Sequence, residues 1–116
     1  MGMDLSSEFC RVGVDASDND VTIRVQGEID LATATLLHAA FDAVDGQGHI
    51  DVDVSEMTFC DGTGLRALER ARQRFGPRLR VTGATPMLQR LAGIVDMDWL
   101  AADEAQRRPA SGNPAA

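Results

Sequence analysis

Four segments of the chain alternate between apolar and polar residues. In the clearest of them, Val21, Ile23 and Val25 are separated by single polar residues. A period of two is typical of a β-strand that buries one face. The alternation predicts strands over residues 9–15, 21–26, 50–55 and 79–82, and a polar turn at 16–20 makes the first two a hairpin. A short run at 96–100 predicts an additional edge strand.

Between these strands, apolar residues recur three and four positions apart, which is the spacing of an amphipathic helix. This spacing predicts helices over residues 32–44, 65–75 and 86–92. Pro77 ends the second helix because proline cannot continue one, and Thr85 caps the third. Gly93 is expected to end the third helix, and residues 101–108 are good helix formers.

The predicted elements alternate with short connections, which implies parallel strand pairing with right-handed crossovers. Because the strands alternate in polarity, only one face of the sheet is expected to be covered. We therefore predict an α/β fold: a small mixed sheet of four to five strands with helices packed on one face. A length of 116 residues fits one domain. We place it at residues 8–108, with an N-terminal tail at 1–7 and a disordered C-terminal tail at 109–116.

Composition excludes several classes of function. The formal net charge of -7 argues against direct nucleic-acid binding, which needs a basic surface. No apolar run reaches the roughly 18 residues of a membrane-spanning helix. The first ten residues lack the basic start and apolar stretch of a signal peptide. We therefore expect a cytoplasmic protein without a membrane partner, either a monomer or a weak homodimer.

Charge is distributed unevenly along the chain. Residues 1–60 contain twelve acidic residues and two arginines, whereas residues 61–80 contain six arginines and two acidic residues. Arg66, Arg70 and Arg74 are four residues apart and form one stripe on the second helix. A solvated helix face is the simpler interpretation of this stripe, and an acidic partner surface is the alternative.

The segment that opens the second helix is the first candidate site. It contains Asp61, Gly62, Thr63, Gly64 and Leu65. Unpaired backbone N–H groups at a helix start favour negative charge, so a hydroxyl there is well placed to be phosphorylated. The simpler interpretation is that Asp61 or Thr63 caps the helix and the glycines allow a tight turn.

Asp30 is the second candidate, because it follows a predicted strand that should pair in parallel with the strand before Asp61. The carboxyl ends of neighbouring parallel strands share one edge, so the two acids should lie close together. Two carboxylates can act as an acid/base pair. No histidine, lysine or cysteine arrangement completes a catalytic set, so we expect a binding protein and no enzyme activity.

The cysteines and histidines indicate no further chemistry. Cys10 and Cys60 form no CxxC motif, and two buried free thiols are expected in a cytosolic chain. His38 and His49 have no partners at metal-ligand spacing. We expect no metal and no cofactor.

Two motifs resemble the STAS domain, and more narrowly the bacterial anti-sigma factor antagonists. The first is Val-x-Ile-x-Val-x-Gly-Glu-Ile-Asp-Leu-x-Thr-Ala at 21–34. The second is Asp-Val-Ser-x-Met-x-Phe-x-Asp-Gly-Thr-Gly-Leu at 53–65. The resemblance covers about residues 8–105 and implies a STAS-like fold.

The resemblance also implies a function. Such antagonists bind an anti-sigma factor, usually an ATP-binding serine kinase, and thereby free a sigma factor for transcription by partner switching. It implies partner-binding residues at Asp30, Asp61, Gly62, Thr63, Gly64, Leu65 and Arg66. It also implies that the kinase phosphorylates the antagonist at the start of the second helix, which breaks the complex.

The chain departs from the family pattern at that position. Family members typically have a serine directly after the aspartate, and here Gly62 replaces it. Thr63 is then the nearest hydroxyl, either a displaced phosphoacceptor or a structural residue. The resemblance leaves alternatives open: a STAS subunit docking on a transporter ATPase, or a nucleotide-binding STAS module.

Overall fold

In the computed structural model of the chain, which describes residues 2–100, five strands form one mixed sheet in sequential order. The strands are β1 (Gly2–Ser6), β2 (Cys10–Ser17), β3 (Asp20–Ile29), β4 (Ile50–Cys60) and β5 (Leu79–Thr82). The helices are α1 (Ala34–Asp42), α2 (Gly62–Phe75) and α3 (Pro86–Ile94), and a 3-10 turn spans Gly76–Arg78. β1, β2 and β3 pair antiparallel, whereas β3, β4 and β5 pair in parallel.

Within residues 2–100, the helices cover one face of the sheet. Val14, Ile23, Val52 and Val81 form one cross-strand row on the apolar face. All three helices contribute buried residues to the same core cluster as this face. The opposite face is polar, and an ion pair joins Arg24 to Asp53 across β3 and β4, with 3.8 Å between the charged atoms. The predicted fold class is confirmed.

The region assigned to an N-terminal tail differs from expectation, because Gly2–Ser6 forms the edge strand β1. Its sequence carries little alternation, so the pattern gave no strand signal. The strand forms because β2 offers a free edge, where Leu5 pairs with Val12 and packs against the core.

The predicted edge strand at 96–100 is wrong. Asp98, Trp99 and Leu100 are helical, and Asp96 makes the turn before them with φ of 61°. Met97 and Leu100 are buried three residues apart, which is a helical spacing. Gly93 was also expected to end the third helix, but it lies inside α3, which continues to Ile94.

The remaining expectations lie beyond the described residues. These are the helix formers at 101–108 and the C-terminal tail at 109–116. Within residues 2–100, no helix is long and apolar enough to cross a membrane.

Candidate functional site

The loops after β3 and β4 meet at the carboxyl edge of the sheet. Ile29 and Cys60 are paired in the parallel register, so Asp30 and Asp61 follow at adjacent positions. The backbone N–H of Asp61 donates a hydrogen bond of 3.1 Å to the carbonyl of Ile29. The structure thus brings the two sequence candidates together.

Asp61 is the N-cap of α2. Its backbone is extended, and its Oδ1 accepts hydrogen bonds from the N–H groups of Thr63 (2.9 Å) and Gly64 (3.1 Å). These are two of the backbone donors that a helix start leaves unpaired, and a carboxylate there also interacts favourably with the helix dipole. Asp61 therefore fixes where α2 begins.

Asp30 organises the turn that leads into α1. Its Oδ1 accepts from the N–H groups of Ala32 (2.9 Å) and Thr33 (3.1 Å), and the hydroxyl of the buried Thr33 donates to the carbonyl of Glu28 (2.7 Å). Within the described residues, no histidine or cysteine side chain donates to either carboxylate. Each carboxylate is thus engaged by backbone N–H groups of its own turn.

Gly64 lets α2 pack closely on the sheet. A Cβ at this position would lie 2.6 Å from both Cys60 Sγ and Ile29 Cγ2, which is too close for any side chain. The close approach holds the start of α2 directly above the ends of β3 and β4.

Both thiols are free and buried, as expected from the sequence. Burial raises the pKa of Cys60 to about 12, and the negative charge of Asp61 adds to this effect. Burial, with a contribution from Asp30, also raises the pKa of Cys10. Neither group is a thiolate at neutral pH, and the thiolate is the form that reacts.

Gly62 occupies the position where the family pattern has a serine. It is exposed, and a Cβ placed on it would meet no atom within 4 Å. The neighbouring Thr63 is half-buried, and its backbone N–H is the group bound by Asp61. A side chain at Gly62 would therefore project freely into solvent from the first turn of α2, whereas Thr63 is partly covered by the surrounding protein.

The remaining sequence candidates differ in accessibility. Gly64 and Leu65 are buried beneath the first turn of α2, so they are not accessible to a partner. Arg66 is exposed one turn further along α2. Of the seven residues, Gly62 and Arg66 are therefore the two most open to a partner.

Exposed apolar side chains around this edge were missed from the sequence. Leu31 is 77% exposed directly after Asp30, and Phe59 is 46% exposed directly before Cys60. Phe9 is 60% exposed, and its carbonyl accepts a hydrogen bond from the N–H of Glu28, the residue that pairs with Phe59. An apolar residue in a strand-like run is normally predicted to be buried. The sequence therefore indicated exposure only at residues 57–60, where the alternation of polar and apolar residues is interrupted.

The arginine stripe on α2 is divided by its contacts. Arg74 forms an ion pair of 2.7 Å with Asp42 and stacks on Phe75. Arg66 and Arg70 are exposed and form no ion pair with any residue in the described part of the chain. Among residues 2–100, no group of three histidine, cysteine or acidic side chains is placed to bind a metal.

The chain matches the family model described as "Mlab, STAS domain" over residues 12–102. No curated protein sequence matches it significantly.

Solved structures are also similar. An anti-sigma factor antagonist from Mycobacterium paratuberculosis is 26% identical, with a TM-score of 0.69, over 81% of this chain and 85% of that one. An antisigma-factor antagonist STAS domain from Rhodobacter sphaeroides is 25% identical, with a TM-score of 0.55, over 67% and 90%. The anti-sigma factor antagonist SpoIIAA in its unphosphorylated form, 18% identical with a TM-score of 0.53 over 69% and 79%, shares the fold.

Proposed function

The chain belongs to the STAS domain family, and we propose that it is an anti-sigma factor antagonist. In this role it binds an anti-sigma factor of the ATP-binding serine-kinase type and so frees a sigma factor. The observation that carries the proposal is the similarity, over most of both chains, to two solved proteins named as such antagonists.

The proposed interface is the carboxyl edge of the sheet, built from Asp30 and from 61–66. Two features support it. The turns are held rigid by the capping bonds of Asp30 and Asp61, so little order has to be gained on binding. The exposed Leu31 and Phe59 supply apolar area next to these polar turns, and a partner that covers this area gains the free energy of removing it from water.

We further propose that this antagonist lacks the usual phosphoserine switch, because Gly62 has no hydroxyl. A phosphate at this position would add about -1.5 to -2 charge beside Asp61 and would repel a partner packed against the turn. Without it the antagonist stays competent to bind while a kinase is active. Thr63 is the alternative acceptor, and its half-buried position makes it less accessible than residue 62 would be.

Titration of the wild-type chain against each anti-sigma factor of its host tests the binding role. We expect one of them to bind with micromolar affinity or better. Gly62→Asp should weaken that complex at least tenfold, because the carboxylate places charge at the proposed contact. Gly93→Asp is the matched control, since Gly93 is also an exposed helical glycine with open space around its Cα.

The outcomes of this titration are distinct. Equal affinities for Gly62→Asp and wild type would exclude the carboxyl edge as the interface. Absence of binding to every anti-sigma factor, with binding to a transporter ATPase instead, would overturn the antagonist role.

Incubation with the bound kinase and Mg·ATP, followed by intact-mass measurement, tests the missing switch. We expect the wild type to remain unmodified and Gly62→Ser to gain one phosphate, since its side chain would have open space. Gly62→Ser combined with Thr63→Val separates the two hydroxyls. A phosphate on Thr63 of the wild type would contradict the proposal.

A further inference from the structure

A groove of about 240 Å³ lies along α2 beside the proposed interface. The segment after α3 closes one side of it, and α2 forms the other. The groove is lined by Gly62, Leu65, Arg66, Glu69, Val95 and Met97. Leu65 and Met97 are buried and form an apolar floor, while Arg66 stands exposed at its margin.

The walls of the groove are fixed by contacts that do not involve Arg66. The indole N–H of Trp99 donates to Glu69 Oε1 at 2.6 Å, and the Arg72 guanidinium lies 5.0 Å from the centroid of the same ring. These contacts join the segment after α3 to α2. The groove therefore exists before a partner arrives.

Gly62 keeps the groove open at the end nearest the N-terminus of α2. Since a Cβ there meets no atom within 4 Å, any side chain would extend into the space around the first turn. At the other margin Val95 is 52% exposed, so part of its apolar surface faces solvent. An apolar side chain from a partner can reach both Val95 and the buried floor.

Charge selects the kind of partner. Arg78 donates to the carbonyls of Gly46 and Gly48, and Arg74 pairs with Asp42, so these guanidinium groups are used inside the fold. Arg66 and Arg70 form no hydrogen bond or ion pair within the described residues, and they lie one turn apart on the exposed face of α2. Guanidinium groups bind carboxylates in bidentate geometry.

The rest of the chain reinforces this selection. The formal net charge is -7, so an acidic partner is repelled by most of the surface and attracted to the α2 face. Such a distribution orients the encounter as well as strengthening it.

We propose that the exposed face of α2 binds an acidic segment of the partner, with carboxylates on Arg66 and Arg70 and one apolar side chain in the groove. This inference rests on the proposed antagonist role and specifies the chemistry of the partner. The occupant is a protein segment in which an apolar residue is flanked by aspartate or glutamate.

Calorimetric titration with the anti-sigma factor that binds the wild type tests the arginines. Arg66→Glu and Arg70→Glu should each weaken binding about tenfold or more, as is typical of charge pairs at interfaces. Arg90→Glu makes the same change at an exposed arginine on α3 and should alter affinity less than twofold. Raising the salt concentration should weaken the wild-type complex more than the Arg66→Glu/Arg70→Glu complex.

Two further variants test the groove. Val95→Asp should weaken binding strongly, because it places a charge among the lining residues. Ile94→Asp is the control, since Ile94 is 73% exposed and does not line the groove. Circular dichroism and thermal unfolding of every variant verify that the fold is retained.

The results separate the two proposals. If Arg66→Glu/Arg70→Glu binds as tightly as the wild type, or if Ile94→Asp weakens binding as much as Val95→Asp, this inference is overturned and the antagonist role stands. If the wild type binds no anti-sigma factor, both proposals fail. Sedimentation velocity that shows self-association of the wild type, lost in the double variant, would make a second copy the occupant and overturn the acidic partner.

Discussion

Asp61 serves both the fold and the proposed interface, and substitutions can separate these roles. Its Oδ1 accepts from the N–H groups of Thr63 and Gly64, whereas its charge faces the edge where the partner is proposed to bind. Asparagine retains an oxygen in nearly the same place and loses only the charge.

We therefore predict that Asp61→Ala lowers the free energy of unfolding by about 1 kcal/mol, the usual cost of losing an N-cap. Asp61→Asn should change it by less than about 0.5 kcal/mol for the same reason. Chemical denaturation of the three proteins measures both values. Equal destabilisation by the two substitutions would show that the charge of Asp61, and not its capping geometry, supports α2.

The thiol of Cys60 makes stability depend on pH in a range where few other groups titrate. Its pKa is raised from 9.0 to about 12 in the fold, and the chain has no tyrosine or lysine. Between these values the unfolded thiol loses its proton while the folded thiol keeps it. Stability from this group is therefore complete below about pH 9 and is lost as the pH rises toward 12.

We predict that the free energy of unfolding of the wild type falls steadily above pH 9. The decline should be shallower in Cys60→Ala, and shallower again when Cys10→Ala is added, because burial raises the pKa of Cys10 as well. Urea denaturation in steps of pH measures the slopes. If the free energy of unfolding falls equally with pH in the wild type and in the double variant, the two cysteines are not the cause of the decline.

Among the structural elements, the segment that follows α3 is the one that completes the groove. Its contacts to α2 pass through Trp99, which is the chain's single tryptophan. Removing the indole N–H and removing the whole ring therefore test different contributions.

Trp99→Phe should lower the free energy of unfolding by about 1 kcal/mol, the usual net value of one hydrogen bond, since the ring over Arg72 is retained. Trp99→Ala should cost about 3 kcal/mol, because packing is lost as well. Circular dichroism in denaturant measures both without relying on tryptophan fluorescence. A Trp99→Ala variant as stable as Trp99→Phe would show that the ring contributes nothing to packing.

Sequence patterns predicted those helices and strands whose own residue spacing favours the same structure as their packing against the rest of the fold. The strand at Val21, Ile23 and Val25 and the helix after Gly62 follow from periodicity alone. β1 was missed because an edge strand depends on its neighbour more than on its own sequence. The segment at 96–100 was misassigned because Met97 and Leu100 show helical spacing over too few residues to form a clear pattern.

The candidate site was predictable only in outline. Parallel pairing of β3 with β4 was enough to expect Asp30 beside Asp61. The exposure of Leu31 and Phe59 was not predictable, since an apolar residue in a strand or directly after one is ordinarily buried. The groove could not be predicted from the sequence either, because it forms where α2 contacts a segment about thirty residues later in the chain.

At the scale of the whole molecule, a one-sided sheet leaves three distinct surfaces. Helices cover one face, polar rows such as Arg24 and Asp53 occupy the other, and the carboxyl edge carries the capped turns and exposed apolar side chains. The net charge of -7 is offset locally by the arginines of α2. Shape and charge thus both direct a partner toward the carboxyl edge of the sheet and the adjoining exposed face of α2.

If binding at the carboxyl edge and the exposed face of α2 releases a sigma factor, a displacement measurement will detect the release. A fluorescently labelled sigma factor is bound to the anti-sigma factor, and its anisotropy is followed as the wild-type chain is added with Mg·ATP present. Gly93→Asp should displace the sigma factor as the wild type does, and Gly62→Asp should require at least tenfold more protein. Full displacement that persists during prolonged incubation with ATP is the predicted result. An anisotropy that stays unchanged at saturating wild-type concentrations would show that the chain does not release the sigma factor.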